Sequence, residues 1–150
     1  MLTRLYLQID TLTLAWATHR LSGISSPANA AYSAEELEHQ LKSSGSKALF
    51  TCVPLLPVAL EAASRCGIPK NRVYILSLPK GATGGKETPK EYKTVDQIIE
   101  EGQNLPRLED LKWKKGQGAR QTAFLCYSSG TSGLPVRACL ASDCCVSLAY

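Results

Sequence analysis

Hydrophobic positions change their period several times along the chain, and each change marks an element. Leu5, Leu7 and Ile9 alternate with polar neighbours, as in a short strand. From Leu12 the spacing lengthens. Leu12, Ala15, Trp16 and His19 fall near one helical face, behind a cap at Asp10 or Thr11 and ahead of a stop at Gly23. On this reading Trp16 is largely buried. Ser33 and Glu36 make a capping box for a helix over 34–43, with Leu37 and Leu41 on one side and Gly45 just beyond its end. Residues 48–53 form a short apolar strand. Pro54 and Pro57 lead into a helix carrying Leu60, Ala63 and Cys66, which Gly67 closes. Residues 73–76 form another strand, and 79–93 a charged Gly/Pro/Lys loop. Thr94 starts a helix through Ile98 and Ile99. A polar connection over 103–120 is anchored by Leu108, Leu111 and Trp113, and 122–127 form the last strand.

Strands alternating with helices predict an α/β fold, a mostly parallel sheet with flanking helices. The helices over 12–22 and 34–43 are expected on the same sheet as strand 48–53. There is no internal repeat.

Composition narrows the class of protein. A chain of 150 residues is one domain's worth, and 44% hydrophobic with 20% charged residues is an ordinary globular composition. The net charge of +4 is spread out, and the densest cluster, Lys112, Lys114 and Lys115, has Glu109 and Asp110 beside it. That pattern is a solvated segment, so no nucleic-acid partner is expected. No apolar run approaches the ~20 residues of a membrane span. The N-terminal stretch is broken by Arg4, Gln8 and Asp10, unlike a signal peptide, and Leu148, Ala149 and Tyr150 are not a peroxisomal address. An intracellular, cytoplasmic location is the expectation. The six cysteines (Cys52, Cys66, Cys126, Cys139, Cys144 and Cys145) lack metal-ligand spacing, so reduced thiols and no metal site are expected.

The densest chemistry lies at residues 126–135. Ser128, Ser129, Thr131 and Ser132 interleave with Gly130 and Gly133, directly after the apolar run Ala123, Phe124, Leu125. Glycines let successive amides face one concavity, and hydroxyls add donors, which suits phosphate oxygens. A strand delivering such a loop at its carboxyl end is where open α/β sheets bind ligands. Two other phosphate or nucleophile motifs fail. A Walker A loop would need a first glycine where Lys80 stands and a hydroxyl where Glu87 stands. A nucleophile elbow needs Gly-x-Ser-x-Gly, but after Ser132 the glycine, Gly133, comes one residue early. The histidines, His19 and His39, both sit in predicted helices far upstream, and His19 reads as a packing residue.

The run from Ser128 to Pro135 closely resembles the phosphate-binding loop of the adenylate-forming superfamily. That loop reads Ser/Thr-Ser-Gly-Thr-Thr/Ser-Gly-x-Pro-Lys, and only the lysine is missing: Val136 takes its place, with Arg137 one position late. The segments Leu12–Leu21 and Ser26–Leu37 resemble the coumarate–CoA-ligase-like branch, closest to fungal acyl-CoA ligases of secondary metabolism. Asn29 and Tyr32 are loop-to-helix scaffolding in that reading. The resemblance covers most of residues 10–135, whereas 136–150 form a divergent tail.

The resemblance implies ATP-dependent adenylation of an aryl or fatty carboxylic acid, with transfer to coenzyme A. Ser128, Ser129, Gly130, Thr131, Ser132 and Gly133 would hold the β- and γ-phosphates of Mg-ATP. No residue is assigned to catalysis. The family's adenine, ribose and catalytic-lysine segments are not found in these 150 residues. The expectation is therefore a truncated ligase-like chain, inactive alone unless another polypeptide complements it. The alternative is a non-catalytic remnant or interaction module from truncation, frameshift or altered splicing.

Overall fold

The computed structural model describes residues 2–5, 9–79, 87–128 and 136–141, with side chains described for 10–79 and 87–128. Strand β1 (Leu2–Leu5) leads to helix α1 (Ile9–Arg20), then β2 (Ser26–Asn29) and α2 (Ala34–Ser44). Strand β3 (Leu49–Thr51), α3 (Leu56–Arg65) and β4 (Val73–Ile75) follow, then α4 (Val95–Gln103), α5 (Gln117–Arg120), β5 (Thr122–Ser128) and β6 (Val136–Ala141). The first four strands form one parallel sheet in the order β2-β1-β3-β4. Strands β5 and β6 form an antiparallel pair. The fold is thus the expected α/β arrangement with a largely parallel sheet.

Local chemistry explains the helix ends. The Ser33 hydroxyl accepts from the Glu36 amide at 3.3 Å, and the Glu36 carboxylate accepts from the Ser33 amide at 2.8 Å. The predicted box is therefore complete. Gly45 ends α2 at φ 62°, a left-handed conformation that costs a side-chain-bearing residue about 1–2 kcal/mol. Thr94 and Gln97 make a second box at the start of α4. Asn29 Oδ1 accepts from the Ala31 amide, and Tyr32 is buried, so both scaffold the turn into α2.

Alternation divides β3 and β4 between two faces. Leu49, Val73 and Ile75 are buried with Leu37 and Leu41 of α2 and Ala59, Ala62 and Ala63 of α3. Each fully buried leucine contributes about 1.5–3 kcal/mol. The alanines let α3 lie close against α2. On the other face Phe50 and Tyr74 stack at 4.9 Å with rings 27° apart. They floor an apolar cleft of about 480 Å³ whose walls include Leu14 and Ala17 of α1 and Val95 and Ile98 of α4.

Several expectations need correction. The expected strand through Leu5, Leu7 and Ile9 meets β1 at Leu5, residues 6–8 lie outside the described residues, and Ile9 already belongs to α1, so Asp10 lies within the first helical turn rather than capping it. Trp16 is 68% exposed and Leu12 58%, while Ala15 turns inward. Adjacent helical positions turn to different sides, and here the small Ala15 takes the buried one. Leu108, Leu111 and Trp113 are exposed rather than anchoring. The connection is held instead by Arg20, whose guanidinium donates to the Leu108 and Glu109 carbonyls and pairs with Asp110 at 3.3 Å. Among the described residues no helix is long and apolar enough to cross a membrane.

Candidate functional site

β5 is the strand that leads into the Gly/Ser/Thr run, so its placement decides what the run can face. It lies beside β2 through one parallel bridge between Ser25 and Phe124. The Ser25 amide donates to the Ala123 carbonyl and the Leu125 amide to the Ser25 carbonyl, both at 2.9 Å. β5 therefore runs in the same direction as β1–β4, and Ser128 emerges at the carboxyl edge of the parallel sheet. That edge is where ligands bind in open α/β sheets.

Side chains from three elements secure the strand. His19 Nε2 donates to the Ala123 carbonyl at 2.9 Å; a carbonyl only accepts, so this nitrogen carries the proton. The His19 ring meets Phe124 edge-on, with centroids 4.8 Å apart at 89°. His19 is thus a packing and clamping residue, as its sequence position implied. The Ser26 hydroxyl donates to the Leu125 carbonyl at 2.8 Å and accepts from Gln40 Nε2 at 2.9 Å. The Tyr127 hydroxyl donates to Ser43 Oγ at 3.0 Å, tying β5 to the end of α2.

Of the six residues expected to contact phosphate, Ser128 is placed at the exposed end of β5. Ser129, Gly130, Thr131, Ser132 and Gly133 lie outside the described residues. Ser128 pairs with Val136 across the antiparallel ladder, so the two ends of the segment 129–135 meet. The available donors are hydroxyls and amides, chemistry that fits phosphate oxygens. Among the described residues no three His, Cys, Asp or Glu side chains converge as a metal cage.

Glu38 sits in an ion-pair cluster that joins α2 to α3. Hydrogen bonds from Lys42 at 2.6 Å and Arg65 at 3.2 Å hold the Glu38 carboxyl below its ordinary range, on the outer side of α2 and α3. Burial pushes the Cys66 thiol up, away from thiolate chemistry.

Ser26, Gln40 and Tyr127 were not legible as site residues. The available signals were a proline inside a strand, Pro27, and a glutamine on the helical face shared by Leu37 and Leu41. Pro27 and Asn29 oppose strand propensity, so β2 is not legible in the sequence. Pairing with β1 supplies what propensity lacks.

Comparison with known proteins agrees with this geometry. The family model described as AMP-binding enzyme matches residues 8–147. The chain is 38% identical over 135 residues to the acyl-CoA ligase cm3C of Cordyceps militaris, covering 89% of this chain and 21% of that protein. It is 38% identical over 125 residues to the acyl-CoA ligase easD of Emericella nidulans, covering 83% of this chain and 22% of that one. The chain therefore spans about a fifth of the length of these curated relatives. The A domain of carboxylic acid reductase from Segniliparus rugosus, solved with AMP and a co-purified carboxylic acid, superposes with a TM-score of 0.74 at 19% identity. The match covers 95% of this chain and 24% of that structure. Family model, relatives and fold converge on one assignment: the chain belongs to the AMP-binding enzyme family.

Proposed function

We propose that this chain supplies the phosphate-holding hairpin of an enzyme that activates a carboxylic acid with ATP and passes the acyl group to coenzyme A. The observation that carries it is the direction of β5. It runs parallel to β2 and brings Ser128 to the carboxyl edge of the sheet, at the head of the Gly/Ser/Thr run. In this reading Ser128, Ser129, Thr131 and Ser132 donate hydroxyls, and the amides from Gly130 to Gly133 face one concavity around the β- and γ-phosphates. The carboxylate of an aryl or fatty acid attacks the α-phosphorus, and pyrophosphate leaves with its charge spread over these donors. ATP when bound, with its magnesium, supplies the activated phosphoanhydride; the hairpin orients it.

The expected boundary at residue 135 marks where the family's lysine gives way to Val136, although the family model matches through residue 147 and Val136–Ala141 pair with β5 as the second arm of the hairpin. With a valine where the family has lysine, one charge-assisted contact worth about 1.5–3 kcal/mol is lost. These 150 residues alone are expected to bind ATP no tighter than roughly millimolar, about −4 kcal/mol.

The test is an ATP titration followed by calorimetry and by amide shifts over 128–135. Pyrophosphate–ATP exchange is measured alongside, with coumarate, cinnamate and medium-chain fatty acids. Shifts confined to that segment and abolished by Ser129→Ala with Thr131→Ala support the reading. Identical titrations in wild type and variant refute it. Exchange by the 150 residues should not exceed that of the variant.

A further inference from the structure

A proline sits where the β2–β5 ladder should continue. After the Ser25–Phe124 bridge, the next parallel rung requires the amide of residue 27 to donate to the Leu125 carbonyl. Pro27 has no N–H. Two side chains satisfy the groups this leaves open. The Ser26 hydroxyl donates to the Leu125 carbonyl at 2.8 Å, and Gln40 Nε2 donates to both Ser26 Oγ, at 2.9 Å, and the Pro27 carbonyl, at 3.0 Å. The Pro27 carbonyl fixes which end of the Gln40 amide points there, since only the nitrogen can donate. Ser26 is 1% exposed and Gln40 0%, so water does not compete for these bonds.

We infer that Ser26 and Gln40 are positioning residues: they replace the missing rung and fix the register in which β5 presents the phosphate hairpin. The functional half of this inference rests on the reading under Proposed function. The physical half does not. One bridge with two backbone bonds is a weak register signal between β2 and β5: the continuous ladder of β5 is with β6, and its link to the parallel sheet lacks a ladder like those that join β3 to β1 and β4. Removing the Ser26 hydroxyl leaves the Leu125 carbonyl, on a residue 8% exposed, without its donor.

The experiment is residue-resolved amide exchange on the full 150-residue chain, without ligand. Ser26→Ala should speed exchange at Leu125 and its β5 neighbours about tenfold, while amides in β3 and β4 stay unchanged. Pro27→Ala introduces the absent N–H, so the Ser26→Ala, Pro27→Ala double variant should recover most of the protection. Unchanged exchange in Ser26→Ala, or a double variant no better than the single, overturns the lock. A side chain that merely filled space at position 26 would not be rescued from position 27. If Ser26→Ala fails to fold, Pro27→Ala alone decides: the amide introduced at 27 is protected if it meets the Leu125 carbonyl, and its exchange at an open-strand rate overturns the proposal. ATP titration of the same variants reads the consequence. Binding weakened in Ser26→Ala and restored in the double variant supports positioning. Binding unaltered despite faster exchange overturns it. Absence of ATP binding in wild type would count against the phosphate reading, and the exchange result would still decide the lock.

Discussion

Replacing His19 by alanine removes two contacts to β5 at once, and their sizes are separable. The first is the Nε2 hydrogen bond to the Ala123 carbonyl at 2.9 Å. A typical bond of this kind contributes about 0.5–1.5 kcal/mol. That carbonyl also accepts from the Ser25 amide at 2.9 Å, so it is not left bare and the loss belongs at the low end. The second is the edge-on ring contact with Phe124, about 0.5–1.5 kcal/mol for a well-placed pair. His19 and Phe124 are both only partly buried, which again favours the lower values. His19→Ala should therefore destabilise by about 1–2 kcal/mol. Urea denaturation gives the magnitude from the midpoint at constant slope. His19→Gln retains a donor and should recover part of the loss. Phe124→Leu closes a double-mutant cycle whose coupling should be about 0.5–1 kcal/mol. A His19→Ala midpoint indistinguishable from wild type, or zero coupling with Phe124, would show that α1 does not clamp β5.

Two further outcomes follow from burial and ionisation. With Trp16 68% and Trp113 40% exposed, fluorescence should be water-like and readily quenched by iodide, and Trp16→Ser should change stability by less than about 0.5 kcal/mol; a blue-shifted, shielded emission would refute the surface position. Burial first, and then the Glu36 charge, raises the Tyr32 phenol above its ordinary value. Its contribution is present below the unfolded pKa and lost as pH rises through the folded one, so as pH rises above about 10 wild type should lose more stability than Tyr32→Phe. Equal losses measured by denaturation across that range would show that Tyr32 ionises alike in both states.

Local chemistry wrote much of this protein directly into its sequence. The boxes at Ser33/Glu36 and Thr94/Gln97 are complete because their partners lie three residues apart, within reach of any helical turn. Gly45 and Gly67 stop α2 and α3 at positive φ for an equally local reason. Leu37 and Leu41 share a face by helical spacing alone, and 122–127 read as a strand from composition. The order of serines, threonine and glycines from Ser128 to Gly133 sufficed to name the family. Other features depend on what lies across space. Trp16 and Ala15 are adjacent on one helix, and periodicity could not say which turned inward; the tertiary packing of α1 buries Ala15 and leaves Trp16 exposed. β2 carries a proline and an asparagine, and only pairing with β1 makes it a strand. The link from Gln40 through Ser26 to Leu125 joins positions separated by 14 and 99 residues. No local rule relates such positions. Their hydrogen bonds exist only because folding buries them together, where an unmet carbonyl costs more than the polar side chain that meets it.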